Sequence, residues 1–372
     1  MPKLSPTTRS PQVAHVLDKT FYLGLPEGED FGWAVCGHYL KKELSKHVTT
    51  VSLEDEPELA QRKDLPGHVL HALCDHDFNT LFEARGVRNY GYAFFEYELT
   101  SAALGKARSL DLVFCGSSWC REKLRNSGID HAEVLIQGID PELFFPTEPR
   151  PTDGSFVIFS GGKFELRKGQ DLVLKAVAHL QQKYSDVLLV SAWFNLWPQT
   201  MQSMAASPFI QFELKGSGWK ERMEHLYMLN GLDPKRIVTC ERIPHFGLRQ
   251  IFAMTDLGIF PNRCEGGTNL MLMEYMACGR PVIASLTSGH RDILNEGNCV
   301  PLVNLRPFHL KEPDGQLLAL WEQPSLDELI DRIEFAYDHR EDLNLLGRQA
   351  AKDMGGLTWA ATARRLLDTV FA

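Results

Sequence analysis

The run from Ile259 to Ser285 constrains the fold of this chain more than any other. Ile259 and Phe260 close an apolar strand, and Pro261 to Asn269 form a polar loop that carries Gly266 and Gly267. Leu270 to Ala277 are mostly strong helix formers, Gly279 fits the left-handed position after a helix, and Pro281 opens a further apolar strand. A glycine loop at a helix N-terminus offers free N–H groups and the positive end of the helix dipole, which suits an anion. Glu265 and Glu274 bracket that loop and helix, and carboxylates beside an anion site suit sugar hydroxyls. The stretch therefore points to a phosphorylated sugar.

The same alternation of strand and helix runs through both halves of the chain. In the first half, strands are expected at Thr20–Leu25, Val48–Leu53, Val69–Cys74, Asn89–Phe95, Leu110–Cys115 and Val134–Ile136, with helices from Trp33 to Lys46 and from Cys120 to Ser127. Four prolines (Pro141, Pro146, Pro149 and Pro151) and Gly154 then mark a boundary. Beyond it, strands are expected at Phe156–Ser160, Val187–Val190, Ile237–Thr239, Leu257–Phe260 and Val300–Val303. The tail is helical from a capping box of Ser325 and Glu328. Short loops between alternating strands and helices imply parallel sheets covered on both faces. The expected fold is α/β, with two Rossmann-like doubly wound domains facing a cleft, where ligands meet the carboxyl ends of the strands. The expected divisions are a loose tail at 1–12, a first domain with its linker at 13–150, a second domain at 151–345, and helices at 346–372 that cross back to the first domain.

Composition narrows the function. The net charge is −9 with no basic block, which argues against nucleic acid as a partner. The eight cysteines are scattered, without a Cys-x-x-Cys pair, and read as reduced thiols rather than as zinc ligands or a disulfide framework. No apolar run approaches the roughly 20 residues of a membrane span. The polar, proline-bearing start does not read as a signal peptide. A cytoplasmic location follows, with peripheral contact to the inner face of a membrane left open.

A second phosphate-suited loop opens the second domain. Ser160 to Asp171 leave its first strand and enter its first helix, with Gly161 and Gly162 allowing close backbone approach and Lys163 and Lys168 bringing positive charge. Two lysines on a diphosphate offset its charge without a metal. Here the chain resembles the retaining nucleotide-sugar glycosyltransferases of the two-Rossmann-domain (GT-B) type, in the large family 4 group (glycosyl transferases group 1). The family carries Gly-Arg-x-x-x-x-Lys-Gly, and this chain has Gly162 to Gly169 with Lys163 in place of the arginine. The family then carries Glu-Gly-Phe-Gly, a second glutamate after seven residues, and Ala-x-Gly-x-Pro-Val. This chain has Glu265-Gly266-Gly267-Thr268-Asn269, Glu274 after eight residues, and Ala277 to Val282. The extra residue is expected between Gly267 and Asn269. Ser117-Ser118-Trp119 and Gly138 to Phe144 also resemble the family's end of the first domain.

The resemblance implies transfer of a sugar from a nucleotide-diphosphate sugar, such as a UDP- or GDP-sugar, to an acceptor hydroxyl. That acceptor is a glycan, a lipid-linked sugar, a protein or a small molecule, as in glycan or glycoconjugate biosynthesis, and no metal or other cofactor is expected. Glu265 would lie by the donor sugar, Glu274 would accept from the ribose hydroxyls, and Lys163 and Lys168 would stabilise the leaving diphosphate. Gly161, Gly162, Gly266, Gly267, Thr268 and Asn269 would approach the donor. In the first domain Glu96 ends a strand where many family members place a histidine, so it would bond the transferred sugar or take the acceptor proton. Gly32, in the first strand-to-helix loop, and His76, at another strand end, are the remaining cleft candidates. A nucleotide-sugar epimerase, a phosphorylase and a degenerate nucleotide-sugar- or glycan-binding subunit are the alternatives on the same fold.

Overall fold

The computed structural model describes residues 19–371 apart from Pro149, Thr152 and Pro313, so the tail expected at 1–12 lies outside the described residues. The first domain is built from β1 (Phe21–Gly24), α1 (Gly32–Leu44), β2 (Thr50–Ser52), β3 (Leu65–Leu73), β4 (Gly86–Ala93), α2 (Ser101–Arg108), β5 (Leu112–Cys115), α3 (Ser118–Asn126) and β6 (Ala132–Val134). The second begins with β7 (Phe156–Gly162), α4 (Gln170–Lys183), β8 (Val187–Trp193), α5 (Pro198–Met201), α6 (Trp219–Leu229) and β9 (Ile237–Thr239). It continues with α7 (Leu248–Ala253), β10 (Leu257–Phe260), α8 (Leu270–Ala277), β11 (Val282–Ser285) and β12 (Val300–Leu302). A hairpin of β13 (Leu305–Lys311) and β14 (Leu317–Pro324) follows, then α9 (Leu326–Asp338), α10 (Arg340–Met354) and α11 (Trp359–Val370).

Each domain holds a six-stranded sheet, ordered β2-β1-β3-β4-β5-β6 and β12-β11-β10-β7-β8-β9, with parallel pairing throughout. Strands covered on both faces must be apolar along their length, and β10 and β11 are buried at every residue. The order sets where a ligand can sit. In the second sheet the chain winds from β7 outward through β8 and β9, then returns to β10 and winds the other way. The loops after β7 and β10 therefore lie side by side at the switch point. In the first sheet the switch point falls between β1 and β3.

Several boundaries differ from the sequence reading. Gly161 and Gly162 continue β7 instead of ending it, pairing with Ala192 and Trp193. The capping box is half made: Ser325 accepts from the N–H of Glu328, but the Glu328 carboxylate turns to the N–H groups of Val303 and Asn304. α10 runs through position 346 and stays on the second domain, where Gly347 lies against Gly279, so the crossing begins after Met354. α11 makes that crossing. Trp359 stacks on Tyr39 of α1 at 5.5 Å, and Thr362 and Arg365 donate to the carbonyls of Ile136 and Val134. The β13–β14 hairpin has no counterpart in the sequence reading. Pro307 and the mixed polarity of its strands hid it, because neither strand shows a clean alternation.

The switch-point loops are locked together in the core of the second domain. Arg263, after β10, and Asp171, at the start of α4, pair at 2.8 and 2.7 Å with both side chains wholly buried. Gly169 has φ +75°, and a Cβ there would stand 2.1 Å from the Pro261 carbonyl, so only glycine permits the approach. Removing one partner of such a pair leaves an uncompensated buried charge. Asp171→Ala should lower unfolding free energy by about 3–5 kcal/mol in urea denaturation, and a loss under 1 kcal/mol would show the pair to be dispensable.

Candidate active site

The two locked loops bring the charges of the site together. Leu166 to Lys168 form a 3-10 turn that aims both Arg167 and Lys168 toward Glu265. Lys168 Nζ lies 2.6 Å from Glu265 Oε1 and Arg167 lies 3.0 Å from Oε2, while Asn262 donates to Oε1. Burial alone would raise the Glu265 pKa, but Lys168 and Arg167 outweigh it and hold the carboxyl at about 2. Arg167 is shared further, pairing with Glu165 at 2.6 Å and Glu96 at 3.3 Å and donating to the Cys264 carbonyl at 2.9 Å. Lys163 differs. Its ammonium sits 4.4 Å over the Trp197 ring, burial pulls its pKa down, and among the described residues no carboxylate lies within ion-pair distance.

Most of these side chains line a cavity of about 700 Å³ between the two domains, from which Glu165 and Asn262 are set back. Glu96, Gly162, Lys163, Arg167, Lys168 and Glu265 share its wall with Gly267, Asn269 and Glu274. From the first domain come Gly32, exposed at the start of α1, Trp33, whose ring meets Phe94 at 4.6 Å, and Phe31, edge-on to Trp197 at 5.2 Å. Asp30 and Arg242 form an ion pair across the two domains.

Some expected donor contacts are used inside the protein. The N–H of Gly266 donates to Glu96 Oε1 at 3.1 Å, and its carbonyl accepts from Ser117 Oγ at 2.7 Å and Cys120 Sγ at 3.0 Å. A Cβ on Gly266 would stand 2.5 Å from the Phe95 nitrogen. The glycine at 266 serves the contact between domains, and Glu96 is held by Gly266 and Arg167 instead of standing free as a base. Thr268 is wholly buried with its hydroxyl on Met273 Sδ, and Gly161 packs in β7 against Phe159 and Met271, so neither faces the cavity. His76 is exposed outside the cavity, its ring 4.2 Å from Tyr97.

Asn269, at the end of the stretch expected to hold an extra residue, enters α8 at φ +66° and lies 3.4 Å from His290. His290 is fully buried on the Ser285 carbonyl, and burial holds its pKa down to about 4 despite Glu265, so it is neutral. Glu274 is buried and bonded at 2.6 Å to His245, which the sequence reading did not single out. Arg167 and Trp197 were missed as well. Arg167 lay inside the quoted motif, whereas His245 and Trp197 follow strands without a motif to mark them. Among the described residues no cluster of three or more His, Cys, Asp or Glu is placed to hold a metal ion. No helix among them is long and apolar enough to cross a membrane.

Residues 155–310 match the family model of glycosyl transferases group 1. D-inositol 3-phosphate glycosyltransferase of Arthrobacter sp. (strain FB24) is 25% identical over 258 residues, covering 66% of this chain and 51% of that protein. A GDP-mannose-dependent phosphatidylinositol monomannoside mannosyltransferase of Mycolicibacterium smegmatis is 25% identical over 145 residues, 37% of this chain and 32% of that protein. The chain spans about half the length of the curated D-inositol 3-phosphate relatives it matches. Among solved structures, sucrose-phosphate synthase of Thermosynechococcus elongatus superposes with a TM-score of 0.67 at 15% identity, covering 95% of this chain and 98% of that one. HepE of Anabaena, in complex with UDP and glucose, superposes with a TM-score of 0.64 at 13% identity, over 95% and 99%. The second domain is thus similar to the glycosyl transferases group 1 family, and the two parallel sheets have the GT-B fold of these structures.

Proposed function

We propose that the chain is a retaining glycosyltransferase that takes a sugar from a nucleotide-diphosphate sugar and passes it to an acceptor hydroxyl in glycan or glycoconjugate biosynthesis. The observation that carries the reading is the charge arrangement on the interdomain cavity. Lys163, Arg167 and Lys168 face Glu96, Glu165 and Glu265, and only Lys163 lacks a carboxylate partner among the described residues. A diphosphate would add the negative charge that Lys163 lacks. It would also compete with Glu265 for Lys168.

The chemistry follows from these positions. As the bond from the anomeric carbon to the phosphate oxygen breaks, negative charge grows on the diphosphate, and Lys163 and Lys168 stabilise it. The carbon passes through an oxocarbenium-like state, which the ionised Glu265 beside it favours. A carboxyl held near 2 is a poor proton acceptor at neutral pH. The acceptor proton therefore goes to the departing phosphate oxygen as the acceptor oxygen bonds the same face of the carbon, which retains the configuration. Glu274 would accept from the ribose hydroxyls. A relative named GDP-mannose-dependent and a structural neighbour solved with UDP and glucose make GDP- and UDP-sugars the first donors to try. The first domain would hold the acceptor against Trp33, Phe94 and the exposed Leu81, a wall suited to the apolar face of a sugar or to a lipid-linked sugar.

A panel of nucleotide sugars, with the anomeric configuration of the product read by NMR, tests this. The reading is lost if no donor is turned over and Glu265→Gln behaves as wild type, while tight nucleotide binding without turnover would favour a binding subunit. Lys163→Ala should weaken nucleoside diphosphate binding by about tenfold and leave the melting temperature unchanged; unaltered affinity would remove Lys163 from the phosphate site. Glu265 also gives a pH signature. Its carboxyl falls from 4.5 to about 2 on folding, so its stabilisation is complete above 4.5 and disappears as pH falls through about 2. The stability difference between wild type and Glu265→Gln should therefore shrink across that window in denaturant titrations, and a constant difference would contradict the ion-pair assignment.

A further inference from the structure

Glu274 does not stand alone on the cavity wall. His245 opens the turn between β9 and α7, and its Nε2 lies 2.6 Å from Glu274 Oε1 with both side chains buried. Among the described residues Nδ1 of His245 is buried with no hydrogen-bond partner, which leaves Nε2 as the nitrogen that donates. The ring is wedged between Phe144 at 5.1 Å and Tyr39 of α1 at 6.1 Å, and Tyr39 in turn stacks on Trp359 of α11. Among the described residues Glu274 Oε2 takes no hydrogen bond, although the residue lines the cavity.

We propose that His245 is a positioning residue for the donor's ribose: it holds Glu274 Oε1 so that Oε2 is turned to the ribose diol. The proposal rests on the donor reading above and adds a residue from a different loop to it. A carboxylate free to rotate would present either oxygen or neither, whereas one fixed by a buried donor offers a single oriented acceptor. The groups around the ring work in the same direction. Glu29 faces it from the β1–α1 loop and Asp140 from the segment after β6, where Asp140 also meets Lys42 at 3.5 Å. Tyr39 lies on α1, and Glu241 and Arg242, the latter paired with Asp30, line the cavity on the same loop as His245. Burial alone would lower the proton affinity of the imidazole, but Glu274, with Glu29 and Asp140 behind it, outweighs burial and leaves the net shift upward.

Calorimetric titration of the full chain with UDP and GDP, and with their 2′,3′-dideoxy counterparts, separates positioning from packing. His245→Ala should weaken the ribonucleotide that wild type binds by about tenfold and leave the dideoxy form unchanged. His245→Gln, whose amide nitrogen reaches roughly where Nε2 stood, should restore most of the loss. His245→Asn, too short to reach Oε1, should behave like His245→Ala and serves if the alanine variant does not fold. Equal losses on both nucleotides, no loss on either, or failure of glutamine to rescue would overturn the proposal. If wild type binds neither nucleotide, the donor reading falls with it. If wild type binds and His245→Ala binds equally well, this inference alone falls.

Discussion

The ion pair between Asp171 and Arg263 is the constraint on which the site depends. Parallel strands bring their loops to one edge of a sheet, but they do not fix the loops' heights or side-chain directions. Asp171 and Arg263 do so from within the core, where a mispaired charge costs several kcal/mol. Arg263 also donates to the Leu166 carbonyl and to Gln323, so one guanidinium ties the turn carrying Arg167 and Lys168 to the loop carrying Glu265 and to the hairpin beyond. The charges around Glu265 are thereby held in one fixed arrangement.

That closeness is balanced. Arg167 satisfies three carboxylates from two domains, so the cluster is nearly neutral before any ligand arrives. A neutral, buried cluster costs less to desolvate than isolated charges, and it responds strongly to an incoming anion because the effective dielectric is low. Glu265 is ionised because Lys168 and Arg167 hold it so.

Much of this was legible in the sequence because phosphate-suited loops at strand ends have a short local signature. Glu265, Glu274, Lys163 and Lys168 were found that way, and the structure gathers all four on one cavity. The glycines were harder to read, since glycine serves any close approach. Gly266 is glycine because the backbone of Phe95 lies on it, and Gly161 because Phe159 and Met271 do. Thr268 and His76 had suitable chemistry but point elsewhere, and a side chain's direction depends on packing that no short window encodes. His245 meets Glu274 29 residues away and Arg167 meets Glu265 98 residues away, relations visible only after folding.

The hairpin of β13 and β14 has a mechanical consequence. It grows from the second domain, yet the Leu318 carbonyl accepts from the N–H of Glu98 and the Trp321 indole donates to the Glu96 carbonyl. The same face of the hairpin, through Gln323 and Phe308, is seated on Arg263. The hairpin thus works as a lever arm with one end on the first domain and its fulcrum beneath the acid cluster. A rotation of one domain against the other would therefore load the contacts at Glu96 and Glu98 and, through the same hairpin, the loop that carries Glu265.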